Sequence, residues 1–129
     1  MIKHLVISGG GPTGLLYYGA LKHLFEQKFI SIEDIKSIYG TSIGAIIGVL
    51  ISLKYDWKTL DDYFLKRPWD KVFKIAPDNL FDLYSNKGMF QFSMVKEILQ
   101  PLLTAKDLSV DITLQEFYEY NQIDLHCFT

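Results

Sequence analysis

Two glycine-rich stretches hold the residues of this chain best suited to chemistry. Gly40-Thr41-Ser42-Ile43-Gly44 is a G-x-S-x-G between one short apolar run and a longer one. A serine hydroxyl becomes available as a nucleophile when it stands clear of the backbone on a sharp strand-to-helix turn. Side chains two residues to either side would collide there, so small residues are needed at 40 and 44. Such a turn holds about 1–3 kcal/mol of strain and persists only where packing enforces it. The helix that follows directs its positive end toward a developing oxyanion.

Gly9-Gly10-Gly11-Pro12-Thr13-Gly14 is a G-x-G-x-x-G, a pattern that fits any loop bringing backbone amides to an anion at a helix N-terminus. Its Pro-Thr-Gly-Leu continuation resembles the first loop of flavin-dependent oxygenases, so a dinucleotide (FAD) site competes on this motif alone. A dinucleotide fold predicts an acidic residue closing the second strand, about 20 residues beyond the loop. Glu33 and Asp34 stand near that distance, but in a helix start ahead of a strand that ends on Gly40. The serine motif therefore decides between the two.

Both motifs need a strand before them and a helix after. Lys3–Ser8 is a short apolar run and reads as a buried strand. From Gly14 to Lys28, Leu16, Ala20, Leu21, Leu24 and Phe25 recur at helical spacing. Ser31-Ile-Glu-Asp34 reads as a one-turn helix start, its hydroxyl offered to free backbone amides. Ser37–Gly40 is a second strand. Ile43–Lys54 is a second helix, apolar nearly all round and hence expected at the centre of the domain.

Asp56 can cap a helix over Trp57–Lys66 that stops before Pro68. Arg67–Phe92 shows no clean period and reads as a long loop. Ser93 opens an amphipathic helix (Val95, Ile98, Leu99, Leu102, Leu103) with Pro101 near its end. Thr113-Leu-Gln-Glu116 is a capping box for a helix to Tyr120. Ile123–Phe128 is a third strand, with Ile123, Leu125 and Cys127 on one face. Alternating strand and helix predicts an α/β fold with a parallel sheet. So thin a sheet suggests the N-terminal part of a larger domain.

Composition narrows the functional classes. The 129 residues are 49% hydrophobic and 22% charged, which excludes disorder and fibrous repeats. Thirteen Lys and Arg against fifteen Asp and Glu leave a net charge of −2, without the basic footprint of a nucleic-acid protein. One cysteine excludes a disulfide framework. The N-terminus lacks a signal peptide's apolar region and cleavage site. The apolar run Ile43–Leu53 falls well short of the ~20 residues a transmembrane helix needs. The expected location is cytoplasmic or peripheral to a membrane.

Together the two motifs resemble those of the patatin-like phospholipases, and Gly40-Thr-Ser-Ile-Gly-Ala45 ahead of an apolar helix is especially close. Asp111–Tyr118 followed by Ile123-Asp-Leu-His126 is also similar to that family, where a helix leads into the next core strand. The resemblance implies a three-layer α/β/α fold with a mostly parallel central sheet. Residues 1–129 would be the N-terminal portion of a single patatin-like domain, incomplete at its C-terminus. It further implies a lipid acyl hydrolase, acting on phospholipid or acylglycerol esters through a Ser–Asp dyad, with no cofactor and no metal.

On that likeness Ser42 is the nucleophile, and Gly40, Thr41 and Gly44 form its elbow. Gly9, Gly10, Gly11 and Gly14 form the oxyanion-hole loop, with the N–H groups of Gly10 and Gly11 as the chief donors. The implied partners are a lipid ester and, transiently, a membrane surface; no nucleic acid is implied. Two departures stand out. Thr13 occupies the place where the family usually has Arg or Lys. No Asp here is followed by Gly, so the family's Asp-Gly-Gly or Asp-Gly-Ala base is missing. An inactive, truncated lipid-binding module is the alternative.

The other reactive residues have plainer readings. Ser42 as a simple turn serine is the bland alternative to the nucleophile. His126, the histidine that follows the serine, lies beside Asp124 on one face of a strand and reads as a packing or surface residue. His4 and His23 read as structural, and Cys127 as a small buried hydrophobe. Asp61 and Asp62 point about 100° apart on a helix and form a solvated face. Lys66–Lys74 mixes cations with Trp69 and Phe73, a mixture that suits either an anionic lipid surface or an ordinary loop. Phe81, Tyr84, Phe90 and Phe92 suit either an acyl groove or anchors to the core.

Overall fold

A computed structural model describes residues 1–68 and 87–128. The chain divides into two compact units, Met1–Trp57 with Asp111–Thr129, and Lys58–Val110. The first unit holds both glycine motifs. Its sheet consists of β1 (His4–Ile7), β2 (Ser37–Thr41) and β3 (Asp124–Phe128), parallel and in the order β1-β2-β3. Leu5 pairs with Ile38 and Ile38 with Leu125, so one sheet face is a row of apolar side chains. This is an α/β fold, a three-stranded parallel sheet flanked by helices.

The apolar face is covered by α2 (Ile43–Ser52), none of whose residues is exposed. The close approach depends on Gly48, where a Cβ would sit 2.9 Å from Leu125 Cδ1 and 3.1 Å from Ile38 Cγ2. Ser52, fully buried, satisfies its hydroxyl by donating to the Gly48 carbonyl at 2.8 Å. Beside α2 lies α1 (Gly14–Glu26), whose Tyr18 and Phe25 rings pack on Trp57 at 5.4 and 5.5 Å. The opposite sheet face is mixed: His4 Nδ1 lies 2.8 Å from Ser37 Oγ, the Tyr39 and His126 rings stack at 4.4 Å, and Val6 is 81% exposed.

α5 (Leu114–Asn121) starts on the expected capping box. The Glu116 N–H donates to Thr113 Oγ1 at 3.2 Å, and the Thr113 N–H donates to the Glu116 carboxylate at 2.8 Å. Its end is set by Gln122 in the left-handed conformation and by Asn121 Oδ1, which accepts from the Ile123 N–H at 2.7 Å. The turn so formed feeds β3.

In the second unit, which α3 (Trp57–Lys66) enters at Lys58 and which also holds α4 (Lys87–Thr104), Leu60, Leu99, Leu102 and Leu103 are buried. Tyr63 ties the two helices by donating to the Ile98 carbonyl at 2.7 Å. Arg67 donates to the Glu97 carbonyl at 2.8 Å and to the Tyr63 hydroxyl. Burial pushes the Tyr63 phenol above its ordinary range.

Several expectations need correction. α4 begins at Lys87 rather than Ser93. α1 ends at Glu26 and α2 at Ser52, two residues short of the pattern, because Lys28 and Lys54 turn the chain with positive φ. The Ser31 hydroxyl donates to the Glu33 carboxylate at 2.8 Å instead of capping backbone amides, and only a 3-10 turn, Ile32–Asp34, follows. Cys127 is exposed, because the cover over β3 reaches Leu125 and not the residue two further on. Most of the expected loop, with Trp69, Lys71, Phe73, Lys74, Phe81 and Tyr84, lies outside the described residues, as do the side chains of Phe90 and Phe92.

Candidate active site

Ser42 stands between β2 and α2 with φ 54° and ψ −122°. A non-glycine residue with positive φ is strained. Its backbone is held from both sides: its N–H donates to the Phe128 carbonyl at 3.1 Å, and its carbonyl accepts from the Ala45 and Ile46 N–H groups at 2.9 and 3.4 Å. β3 therefore pulls on one end of the turn and the first turn of α2 on the other. The side chain is exposed, and among the described residues none hydrogen-bonds its hydroxyl.

The flanking glycines are required by contact. A Cβ on Gly40 would lie 2.5 Å from the Ala45 nitrogen and 2.6 Å from Ala45 Cα. One on Gly44 would lie 2.8 Å from both the Ile7 carbonyl carbon and the Ser8 carbonyl oxygen. Under 3 Å the backbone itself must shift, so the turn closes this tightly only with glycine at both places. Thr41 is exposed at the end of β2, paired with Phe128.

The four loop glycines divide by what surrounds them. Gly9 abuts the serine, since a Cβ there would lie 3.4 Å from Ser42 Cβ. Gly14 is buried against Ile43, which brings the first turns of α1 and α2 side by side. Gly10 faces Thr13 and Tyr17, and Gly11, at φ 52°, borders open space. Among the described residues none accepts the N–H of Gly10 or Gly11. The arrangement can present an exposed hydroxyl and unpaired backbone donors to a small polar group.

The histidines stand apart from this arrangement. His126 Nε2 lies 2.9 Å from Asp124 Oδ2, and its ring is stacked on Tyr39. His4 pairs with Ser37, and His23 is exposed on α1. Partial desolvation pushes the Cys127 thiol up, which disfavours a reactive thiolate. No group of three or more His, Cys, Asp or Glu among the described residues could hold a metal ion, and no helix among them is long and apolar enough to cross a membrane.

Residues 5–124 match the family model described as patatin-like phospholipase. The chain is similar to Uncharacterized protein R571 of Acanthamoeba polyphaga mimivirus, 28% identical over 105 residues that cover 81% of this chain and 35% of that protein. It is also similar to Uncharacterized protein L620 of the same virus, 34% identical over 58 residues, covering 44% of this chain and 16% of that protein. The chain thus spans about a third or less of the length of these relatives. No solved structure matches.

Proposed function

The chain belongs to the patatin-like phospholipase family, and from that premise we propose that it carries the nucleophile and oxyanion loop of a lipid acyl hydrolase. The observation that carries the proposal is the backbone of Ser42, a strained non-glycine turn that leaves the hydroxyl exposed beside the Gly-rich loop. Ser42 Oγ attacks the ester carbonyl of a phospholipid or acylglycerol while its proton passes to a base. The N–H groups of Gly10 and Gly11 stabilise the tetrahedral oxyanion, each such donor typically contributing about 2.7–4 kcal/mol in the transition state. Collapse expels the alcohol and leaves an acyl-enzyme on Ser42, which water then hydrolyses.

By family likeness the base is an Asp, and its partner motif lies outside residues 1–129. Residues 1–129 are then the N-terminal portion of one patatin-like domain. Leu15 and Leu16, exposed where α1 leaves the loop, support transient contact with a lipid surface. A second reading is a lipid-binding module without turnover, in which no Asp supplies the base.

The deciding experiment is Ser42→Ala in the full-length protein. Hydrolysis of phospholipid and acylglycerol esters is expected to vanish with the fold retained, whereas continued turnover would sink the assignment. A fluorophosphonate probe separates the two readings, since only an activated serine reacts quickly.

A further inference from the structure

We propose that Thr13 and Tyr17 are positioning residues that aim the two backbone donors of the oxyanion hole; the inference rests on the hydrolase reading above. It starts from the planarity of the peptide bond, in which the carbonyl of one residue and the N–H of the next point in opposite directions. Fixing the Gly9 carbonyl therefore fixes the Gly10 N–H, and fixing the Gly10 carbonyl fixes the Gly11 N–H. Those are the two carbonyls that side chains hold.

The Gly10 carbonyl accepts twice from Thr13, at 2.7 Å from its hydroxyl and 3.1 Å from its N–H. The Gly9 carbonyl accepts from the Tyr17 hydroxyl at 3.3 Å. That hydroxyl in turn accepts from Ser8 Oγ at 3.2 Å, which leaves its own proton to point at Gly9. The same packing accounts for the glycine at 10, where a Cβ would lie 3.0 Å from the Tyr17 oxygen. Thr13 and Tyr17 are one helical turn apart, so the start of α1 carries both braces. With Thr13 in place of a cation, this chain steadies its loop through neutral hydroxyls.

The test uses full-length protein and a soluble short-chain ester, with Thr13→Val, Thr13→Ser, Tyr17→Phe and Ser42→Ala compared with wild type. Thr13→Val and Tyr17→Phe are each expected to lower kcat about tenfold to a hundredfold at nearly constant KM, the effect of a donor misplaced by a fraction of an ångström. Thr13→Ser, which keeps the hydroxyl, is expected to restore kcat, and thermal midpoints close to wild type separate aiming from folding. Wild-type kcat in both hydroxyl deletions, with Ser42→Ala inactive, overturns the positioning roles alone. Failure of Thr13→Ser to rescue overturns the role given to the Thr13 hydroxyl. A wild-type protein no more active than Ser42→Ala overturns the hydrolase reading and this inference together.

Discussion

At the scale of the residue, Ser42 sits where the proposed function and stability oppose each other. Its φ of 54° is comfortable for glycine and costly for any residue with a Cβ. Ser42→Gly should therefore raise stability by about 1 kcal/mol, while Ser42→Ala, which keeps the Cβ, should leave it within about 0.5 kcal/mol. Urea unfolding of the two variants measures this, and equal stabilities would mean that the strain relieved at the turn does not exceed the extra unfolded-state entropy of glycine. The strained turn at Ser42 and the glycines that flank it were legible because G-x-S-x-G encodes a steric requirement. Thr13 and Tyr17 were not, since a hydroxyl reaching back to a carbonyl depends on the 3-10 turn at Gly11–Thr13, which no residue pattern announces. Cys127 misled for a related reason: alternation along a strand says which face a side chain takes, not how far the cover over that face extends.

At the scale of the element, the capping box of α5 is the feature whose chemistry can be followed by pH. The Thr113 N–H, and then its hydroxyl, hold the Glu116 carboxyl below its ordinary range. A carboxylate favoured in the native state contributes stability above its unfolded pKa, and loses it as the pH falls through the lowered native value. Glu116→Gln should therefore lower stability slightly at neutral pH and flatten its loss on acidification, so that the variant and wild-type curves converge in acid. Unfolding midpoints taken from neutral pH down into the acid range test this, and parallel wild-type and variant curves would exclude the contribution. The strand–helix alternation was legible because each element has its own period, and Thr113 gave the start of α5 to the residue. The start of α4 was not legible. Gly88 and Ser93 look like punctuation, yet Gly88 falls in the first turn of α4 and Ser93 in its interior, at a propensity cost that a helix tolerates.

At the scale of the whole molecule, the proposed hydrolysis needs a group that takes the proton of Ser42. A serine hydroxyl is a weak nucleophile without an adjacent base. Among the described residues none hydrogen-bonds Ser42 Oγ, and His126, the histidine nearest in sequence to a triad role, is engaged with Asp124. Strand order and register, which only the fold reveals, put His126 beside Tyr39 and the Phe128 carbonyl beside the Ser42 N–H. β3 thus supports the elbow through its backbone, and its one histidine lies on the face away from α2. On the proposed hydrolase reading the base is therefore sought first outside residues 1–129. Replacing each Asp of residues 1–129 by Asn, one at a time in the full-length protein, should leave fluorophosphonate labelling of Ser42 at the wild-type rate. An Asp→Asn change in this stretch that abolishes labelling in a folded protein would put the base within these residues and make the dyad local.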